Sequence, residues 1–399
     1  MALLHFQSDR HGDFFTNEPQ ITFFKSVFRR FTNFAIEAVP QQFLPKPTFG
    51  MKNCRVSINR HTGDLLYKLY LEIKVKNTGD GNVNLQPFFA YRLLKNVTLR
   101  VGSTTIDSYD GETLKRIHDL QTDFNKKILL NEMTGGGNGE TQLIIDEGEE
   151  MVFFVPLEFY FCNSPGSALP LRALSFSDIE LLVTLEDEVT AGVSDGTLNI
   201  VDFHLYCDYI FLTSSEAQRI GNTTHEYIAT QTRINMNTDN MSGDNKIRLP
   251  FQGLVRELIW FIRENNKPFS ELRDMKGANI IINSNPRTSM RPGAYYRLVQ
   301  PYQHHTGHSY SLHEIYNLIS HSSGYTNVNK NVFSFSFALH PENVQPSGFL
   351  SFNNKDIMLN FEMDDNVITK SQGLCIRIIA IIYNIVRIES GQLALLFNQ

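Results

Sequence analysis

The sequence predicts an all-β protein built from two tandem antiparallel sandwiches, with a few short helices. Segments that alternate between apolar and polar residues recur along both halves of the 399-residue chain, and turn residues separate them. Phe and Tyr, which favour half-buried strands, are abundant at 30 and 15 residues. Each half has about 190 residues, which accommodates eight strands and long loops.

The first half contains a series of strand patterns. Leu69–Lys76 alternates strictly with period two and ends at the turn residues Asn77–Gly81. The spacing of the strand patterns, with few helical patterns between them, is typical of an antiparallel sandwich. The other strands predicted in this half are Cys54–Ile58, Val97–Val101, Met151–Val155, Ile179–Leu185 and Leu198–Leu212.

A more polar stretch follows the last of these strands and marks a domain boundary. Within it, Ser214–Arg219 predicts a short capped helix. We therefore predict an N-terminal arm over 1–19, a first sandwich over 20–212 and a second sandwich over 213–399, in which 213–224 is the connector. The strands predicted in the second sandwich are Glu226–Met236, Lys246–Pro250, Val255–Arg263, Ala278–Ile282, Val332–Leu339, Ile357–Met363 and Leu374–Ile388.

Helical periodicity is confined to two segments. Apolar residues recur on one face of Phe23–Phe34 and of Gly111–Leu129. The first segment also carries Lys25, Arg29 and Arg30, so a basic amphipathic helix that lies on a membrane is one interpretation. We expect instead a short helix that packs on its own domain, because many structured elements follow it.

The net charge of −6 argues against a general nucleic-acid binder. The charge is unevenly distributed along the chain. Residues 1–60 carry eight Lys and Arg against four Asp and Glu, and residues 140–190 carry eleven Asp and Glu against Arg172 alone. Such a polarity suits a particle component whose two ends face different surroundings. Scattered, solvated surface charge is the alternative interpretation.

Membrane-spanning and redox functions have little support in the sequence. We expect no membrane span, because no run of about 18 apolar residues occurs, and no secretory signal, because the N-terminus has no sufficient apolar core. The four cysteines are Cys54, Cys162, Cys207 and Cys375, and none of them forms a CxxC pair. We expect buried free thiols in a reducing compartment.

The opening of the chain combines aromatic and basic residues in an order that neither a core helix nor a strand requires. Together with further blocks in the same order along the chain, it resembles the major capsid proteins of nucleocytoplasmic large DNA viruses. The resemblance covers nearly the whole chain. The blocks are Pro19–Lys25 with Arg29–Glu37, Val155–Phe161 with Pro165–Leu171, Asp208–Leu212 with Glu216 and Arg219, His225–Ile228, Val299–Gln303, Phe335–Leu339, Pro341, Gln345–Gly348 and Tyr383–Asn384.

This resemblance implies a structural protein and not an enzyme, with no catalytic residues, metal or cofactor. It implies that both sandwiches are eight-stranded jelly rolls, and that three copies form a pseudo-hexameric trimer that tiles an icosahedral shell. The implied partners are copies of the chain itself, penton and minor capsid or cement proteins, and the inner viral membrane surface. No sequence-specific nucleic-acid binding is expected. The implied location is the virion capsid, assembled in the host cytoplasm.

The family arrangement also gives expectations for the two ends of the molecule. Lys25, Arg29 and Arg30 are expected at the particle-facing base, where positive charge would meet an anionic membrane or a scaffold. The long loops at 131–142 and 304–331 are expected to form an outward crown, because the loops at one end of a sandwich cluster together.

Two other function classes remain open. One is a minor capsid or receptor-binding jelly roll that holds host glycans. The other is a metalloenzyme of the cupin type, built around His304, His305 and His308 with Glu314 as a carboxylate ligand. We favour ordinary loop histidines, because these three lie together in a short loop-like segment.

The sequence contains three acceptor motifs for N-glycosylation, at Asn96, Asn222 and Asn240. They matter only if the chain meets a glycosylating machinery. For a virus that assembles in the cytosol we expect them to be unmodified.

Overall fold

The computed structural model describes residues 15–136, 143–194, 196–238, 244–308, 331–363 and 373–397. The chain divides into two compact units, Met1–Asn33 and Phe34–Gln399. The second unit contains all the strands of the described residues. None of the helices in these ranges is long and apolar enough to cross a membrane.

The first half of the larger unit contains two four-stranded antiparallel sheets. One has the order β1-β12-β3-β8, with β9 beside β3, and the other has the order β2-β10-β5-β6; a small third sheet has the order β11-β4-β7. The strands are β1 Phe34–Gln42, β2 Cys54–Ile58, β3 Leu65–Asn77, β4 Val83–Leu85, β5 Leu94–Val101, β6 Thr104–Tyr109, β7 Leu143–Ile145, β8 Glu150–Leu157, β9 Leu169–Pro170, β10 Ile179–Leu185, β11 Val193–Ser194 and β12 Leu198–Leu212.

The second half repeats this arrangement. One sheet has the order β13-β22-β15-β19, with β20 and β23 at its margins, and the other has the order β14-β21-β16-β17, with β18 beside β16. The strands are β13 His225–Asn237, β14 Asp244–Arg248, β15 Leu254–Glu264, β16 Gly277–Ile282, β17 Asn285–Pro286, β18 Arg291–Pro292, β19 Phe333–Ser336, β20 Leu350–Ser351, β21 Ile357–Glu362, β22 Leu374–Glu389 and β23 Gln392–Leu395.

Both halves are jelly rolls. When the eight principal strands of each half are counted in chain order, one sheet contains strands one, eight, three and six, and the other contains strands two, seven, four and five. Two sheets of four antiparallel strands joined in this way define the jelly-roll fold. The predicted all-β fold of two tandem sandwiches is therefore confirmed, although no sequence repeat links the halves.

Short helices lie in the connections between strands. The connection between the fifth and sixth principal strands of the first roll holds α2 and α3, and the corresponding connection of the second roll holds a π-helical turn, Tyr295–Val299, followed by α6. Three single 3-10 turns cover Tyr160–Cys162, Pro165–Ser167 and Leu171–Ala173. The α-helices are α1 Phe89–Leu93, α2 Gly111–Gln121, α3 Phe124–Thr134, α4 Glu188–Ala191, α5 Ser214–Gly221 and α6 Gln300–His304.

Each roll has its own hydrophobic core between its two sheets. In β3, alternate residues such as Leu71 and Ile73 are fully buried, while Tyr70 and Glu72 between them are half-buried. The core of the second roll contains Trp260, which lies in β15 and is also fully buried. The period of two thus places one face of each strand inwards, as the sequence predicts.

The prediction of a helix over Phe23–Phe34 is wrong. Residues 23–24 form a turn, residues 25–33 have no regular structure, and Phe34 begins β1. The aromatic side chains of this segment are exposed, with values of 91% for Phe23 and 99% for Phe24. A helix of about a dozen residues is marginal unless one of its faces is packed.

Two other helix predictions need adjustment. The predicted helix over Gly111–Leu129 is two helices, because Asp123 ends the first and caps the second by accepting a hydrogen bond from the Asn125 N–H. The predicted helix at Ser214–Arg219 is present as α5, but Thr213 at its N-cap position makes no side-chain capping bond.

Candidate interaction surfaces

The first roll contacts the second through helix α2. Ile117 and Leu120 of α2 pack against Ile259 and Phe261 of β15, and against two isoleucines of β22, Ile379 and Ile381. These sheet residues alternate with core residues of the second roll, so they lie on the outer face of its β13-β22-β15-β19 sheet. Helix α2 therefore covers the outer face of the second roll and joins the two rolls within one chain.

Buried ion pairs lie beside this apolar contact. The Glu112 carboxylate at the start of α2 lies 3.0 Å from Nε of Arg263 in β15 and 2.8 Å from Nη1 of Arg377 in β22. Arg377 also lies 2.7 Å from the carboxylate of Asp110. Burial disfavours a charged guanidinium, but Asp110 and Glu112 outweigh it and raise the pKa of Arg377. Charged hydrogen bonds of this kind are directional, so they fix the angle between α2 and the sheet.

The glycine that begins α2 allows the close approach on which this arrangement depends. A Cβ at Gly111 would lie 1.9 Å from the carbonyl oxygen of Tyr91 in α1. The preceding residue, Asp110, caps the helix by accepting a hydrogen bond of 3.0 Å from the Thr113 N–H. Asp110 thus serves both as the helix cap and as a partner of Arg377.

A second group of charges is buried along α2. The carboxylate of Asp119 lies 2.7 Å from Nζ of Lys115 and 3.4 Å from the guanidinium of Arg116. Burial lowers the pKa of Lys115 to about 8, although Asp119 acts in the opposite direction. The Lys115 ammonium also lies 4.2 Å from the centre of the Phe88 ring. The buried cations of α2 are thus paired with a carboxylate and an aromatic ring.

Strands β6 and β13 provide a third contact between the rolls. The Asp107 carboxylate accepts hydrogen bonds from the N–H and the hydroxyl of Thr232, at 2.9 and 3.0 Å. The side-chain amide of Gln231 donates to the carbonyl of Ile106. Burial raises the pKa of Asp107 to about 7, against the hydrogen bonds that favour its charged form.

The histidine segment lies against this junction and not inside a barrel. Nε2 of His305 lies 3.3 Å from Glu257 on the outer face of β15, and its Nδ1 lies 3.2 Å from Glu342. His304 contacts the carbonyl of Leu339 through Nδ1, and the carbonyl of His308 accepts a hydrogen bond from Lys127. In the described part of the chain, no three His, Cys, Asp or Glu side chains meet in an arrangement that could hold a metal ion.

The histidine loop instead joins the two rolls. The Gly307 N–H donates to the carbonyl of Leu120, and the Thr306 hydroxyl donates to that of Gln121, both at the end of α2. A Cβ at Gly307 would lie 2.4 Å from the carbonyl oxygen of Thr122. Glu314, His313 and His321 lie outside the described residues. The cupin-type arrangement, with His304, His305 and His308 converging inside a barrel, is therefore wrong.

The remaining predicted residues are located as follows. Lys25, Arg29 and Arg30 are exposed within the unit that ends at Asn33. Asn96 lies in β5, where its side-chain amide donates to the Thr98 hydroxyl at 3.0 Å. Asn222 is exposed after α5, and Asn240 lies outside the described residues. The expected crown loops, at 131–142 and 304–331, are described only to Gly136 and His308 and again from Asn331. All four cysteines are free and buried.

Two family models match consecutive parts of the chain. The model for the N-terminus of major capsid proteins matches residues 22–213. The model for the large eukaryotic DNA virus major capsid protein matches residues 216–394. Together they span both jelly rolls.

Individual relatives give the same result. The chain is 31% identical over 408 residues to the major capsid protein of Pyramimonas orientalis virus, and the match covers 96% of each protein. Its fold is similar to that of PBCV-1 VP54, with a TM-score of 0.76 and 25% identity over 95% of this chain and 100% of that one. The Faustovirus major capsid protein shares the fold, with a TM-score of 0.71 at 11% identity over 92% of this chain and 93% of that one.

Proposed function

The chain belongs to the major capsid protein family of large eukaryotic DNA viruses, and we propose that three copies of it close into a ring that forms one capsomer. It is a structural component of the virion capsid. In this proposal residues 20–212 and 213–399 are the two units of each copy, so the ring holds six jelly rolls and has a near-hexagonal outline. Such a ring matches sixfold neighbours in a flat facet although its symmetry is threefold.

The observation that carries this proposal is the repeated topology within one compact unit. Two jelly rolls with the same strand order occur within Phe34–Gln399. Head-to-tail contacts between such units produce a closed ring when the rotation per unit divides the circle, and open filaments when it does not. A doubled unit needs only three copies to present six similar edges.

The exposed segment before Phe34 is proposed to face the particle interior. It carries Lys25, Arg29 and Arg30 among exposed aromatic side chains. Cations next to aromatic and aliphatic residues suit binding to an anionic membrane surface or to an acidic protein partner. The proposed partners are therefore the inner viral membrane and the penton, minor capsid or cement proteins, with residues 1–19 acting as an arm.

The proposal assigns no chemical reaction to the chain. The junction carboxylates Glu112 and Asp119 are paired with arginine and lysine side chains, and His305 lies between two glutamates. This arrangement serves to hold two domains together. Capsid assembly is proposed to take place in the host cytoplasm, where reduced, buried thiols are stable.

Native mass spectrometry of the purified protein tests the ring. We expect a species of three times the 45.7 kDa chain mass, and hexagonal particles in electron micrographs. A solitary chain at micromolar concentration would overturn the proposal, and a monomer that binds glycans would favour a minor capsid or receptor-binding role. A capsomer structure with Arg29 and Arg30 at the outer tip would overturn the assignment of the base.

A further inference from the structure

The outer faces of the two larger sheets have equivalent positions in the two rolls but different surroundings. In the second roll, β15 and β22 are covered by α2, and Ile259 and Ile379 on this face are fully buried. The equivalent strands of the first roll are β3 and β12, the third and eighth in chain order. Their outer face is half-exposed within the described chain.

This open face of the first roll, composed of outward residues of β1, β12, β3 and β8, has an aromatic centre. Tyr206 and Tyr70 are paired across the strands, and their rings stack with centroids 5.1 Å apart. Pro40 and Pro156 continue the same row on either side. A hydrogen bond to Glu72 raises the pKa of Tyr206. Stacked tyrosines that keep a polar end are typical of the centre of a protein interface.

The second roll has a helical segment that lies at the same topological position as α2. The segment Tyr295–His304, which follows the fifth principal strand, consists of the π-helical turn and α6. Three of its apolar side chains are exposed: Leu298 at 42%, Val299 at 39% and Tyr302 at 89%. In the first roll the equivalent helix α2 is almost entirely buried. The second-roll segment thus presents apolar surface where the first roll has already found a partner.

We propose that the segment Tyr295–His304 of one copy packs on the open face of the first roll of the next copy. The contact repeats between chains the contact that α2 makes within a chain. This inference rests on the proposed ring, because only a closed ring supplies the equivalent neighbour to every copy. The contact is heterologous: each copy contributes the helical segment to one neighbour and the open face to the other.

The charges of the two surfaces favour this pairing. Residues 285–304 contain Arg287, Arg291 and Arg297 and no carboxylate, whereas β12 contributes Asp202 and Asp208 to the open face and no lysine or arginine. Charge complementarity of this kind orients the partners and speeds their encounter. A second copy therefore fits the open face in both apolar and charge character.

Site-specific cross-linking tests the contact. Tyr206→Cys places a thiol on the open face and Tyr302→Cys places one on the helical segment, while the four native cysteines are buried. Treatment with a short bismaleimide should join the two variants when they are mixed, and should join neither variant to itself. The double variant should give covalent rings of three chains. The control Val189→Cys, at a residue that is 80% exposed in α4, should give no cross-linked species with either variant.

A second measurement protects against variants that merely lose a reactive geometry. Tyr302→Glu should raise the concentration at which rings dissociate by at least tenfold, whereas Val189→Glu should leave it unchanged. Rings of three chains without the mixed cross-link and without this shift would overturn the proposed surface while the ring stands. Cross-linking of Tyr302→Cys to itself would indicate a twofold contact and overturn the inference. Absence of any ring would overturn the proposed function itself.

Discussion

The outer faces of the two equivalent sheets differ in what they carry and in what covers them. The second-roll face has Ile259, Ile379 and Ile381, all buried under helix α2 of the same chain. The first-roll face has Tyr70 and Tyr206, which are half-exposed. One topology thus supports two kinds of surface: a joint inside the chain, and a face that is available to a partner. Covered apolar residues stabilise the chain itself, whereas half-exposed tyrosines can bind a partner without making the free chain unstable.

The joint also contains charges, which the hydrophobic contact alone does not require. Burial of apolar surface is non-directional, so Ile117 and Leu120 could slide along the sheet at little cost. Glu112 and its two arginine partners fix both the depth and the rotation of α2. A buried ionic group often contributes little net stability, but the removal of one partner leaves the others uncompensated.

The largest effect is expected from Glu112→Gln. This change leaves the buried guanidinium groups of Arg263 and Arg377 with one anionic partner fewer, and the loss of a partner from a buried pair typically costs about 3–5 kcal/mol of unfolding free energy. Urea denaturation of the variant and of the wild-type chain measures the loss. The matched control is Glu180→Gln, which breaks the exposed pair between Arg55 and Glu180. An exposed pair contributes about 0–1 kcal/mol, so equal losses in the two variants would contradict the role of the buried network.

A smaller loss is expected from Ile379→Ala on the covered face. Truncation of a buried isoleucine removes transferred surface and leaves a cavity, which together cost about 2–5 kcal/mol. Ile234 is the matched control, because it is paired directly with Ile379 across β13 and β22 but is 36% exposed. Ile234→Ala should therefore destabilise the chain clearly less in the same urea titration. Equal effects would mean that α2 does not cover this row of the sheet.

The sequence predicts the strands well because burial imposes a visible period. Leu69–Lys76 alternates since one of its faces is in the core, and Ile179–Leu185 and Leu198–Leu212 have the predicted bounds. Leu374–Ile388 is apolar on both faces, and the structure shows why: one face lies in the second core and the other under α2. The failure at Phe23–Phe34 has the opposite cause, because a helical period in exposed residues has no packed face to stabilise a helix.

The junction itself could not be predicted from the sequence. Glu112 and Arg377 are 265 residues apart, and neither belongs to a motif. The one signal was Arg377 within an otherwise apolar strand, which indicates a charge that must find a buried partner but not which partner. The open face could be inferred from the outward residues of Leu69–Lys76, whereas its equivalence to the covered face required the strand order of both rolls.

Asp107 provides a test of the contact between β6 and β13 that depends on pH. Its carboxyl is buried, and its pKa is raised from 3.8 to about 7. An acid with a raised pKa holds its proton more tightly in the folded state than in the unfolded state. Its contribution to stability is therefore fully present below about pH 4 and is lost as the pH rises through 7.

The smallest and most specific effect is expected from Asp107→Asn, whose side chain does not titrate. As the pH rises from 4 to 7, the unfolding free energy of the wild-type chain should fall relative to that of the variant by roughly 1 kcal/mol for each pH unit. Urea denaturation across this range measures the difference. Thr232→Val removes a hydroxyl that donates to the Asp107 carboxylate, so it should extend the loss to higher pH. A difference between wild type and Asp107→Asn that does not change with pH would show that Asp107 stays ionised, held by its hydrogen bonds to Thr232 and Ser108.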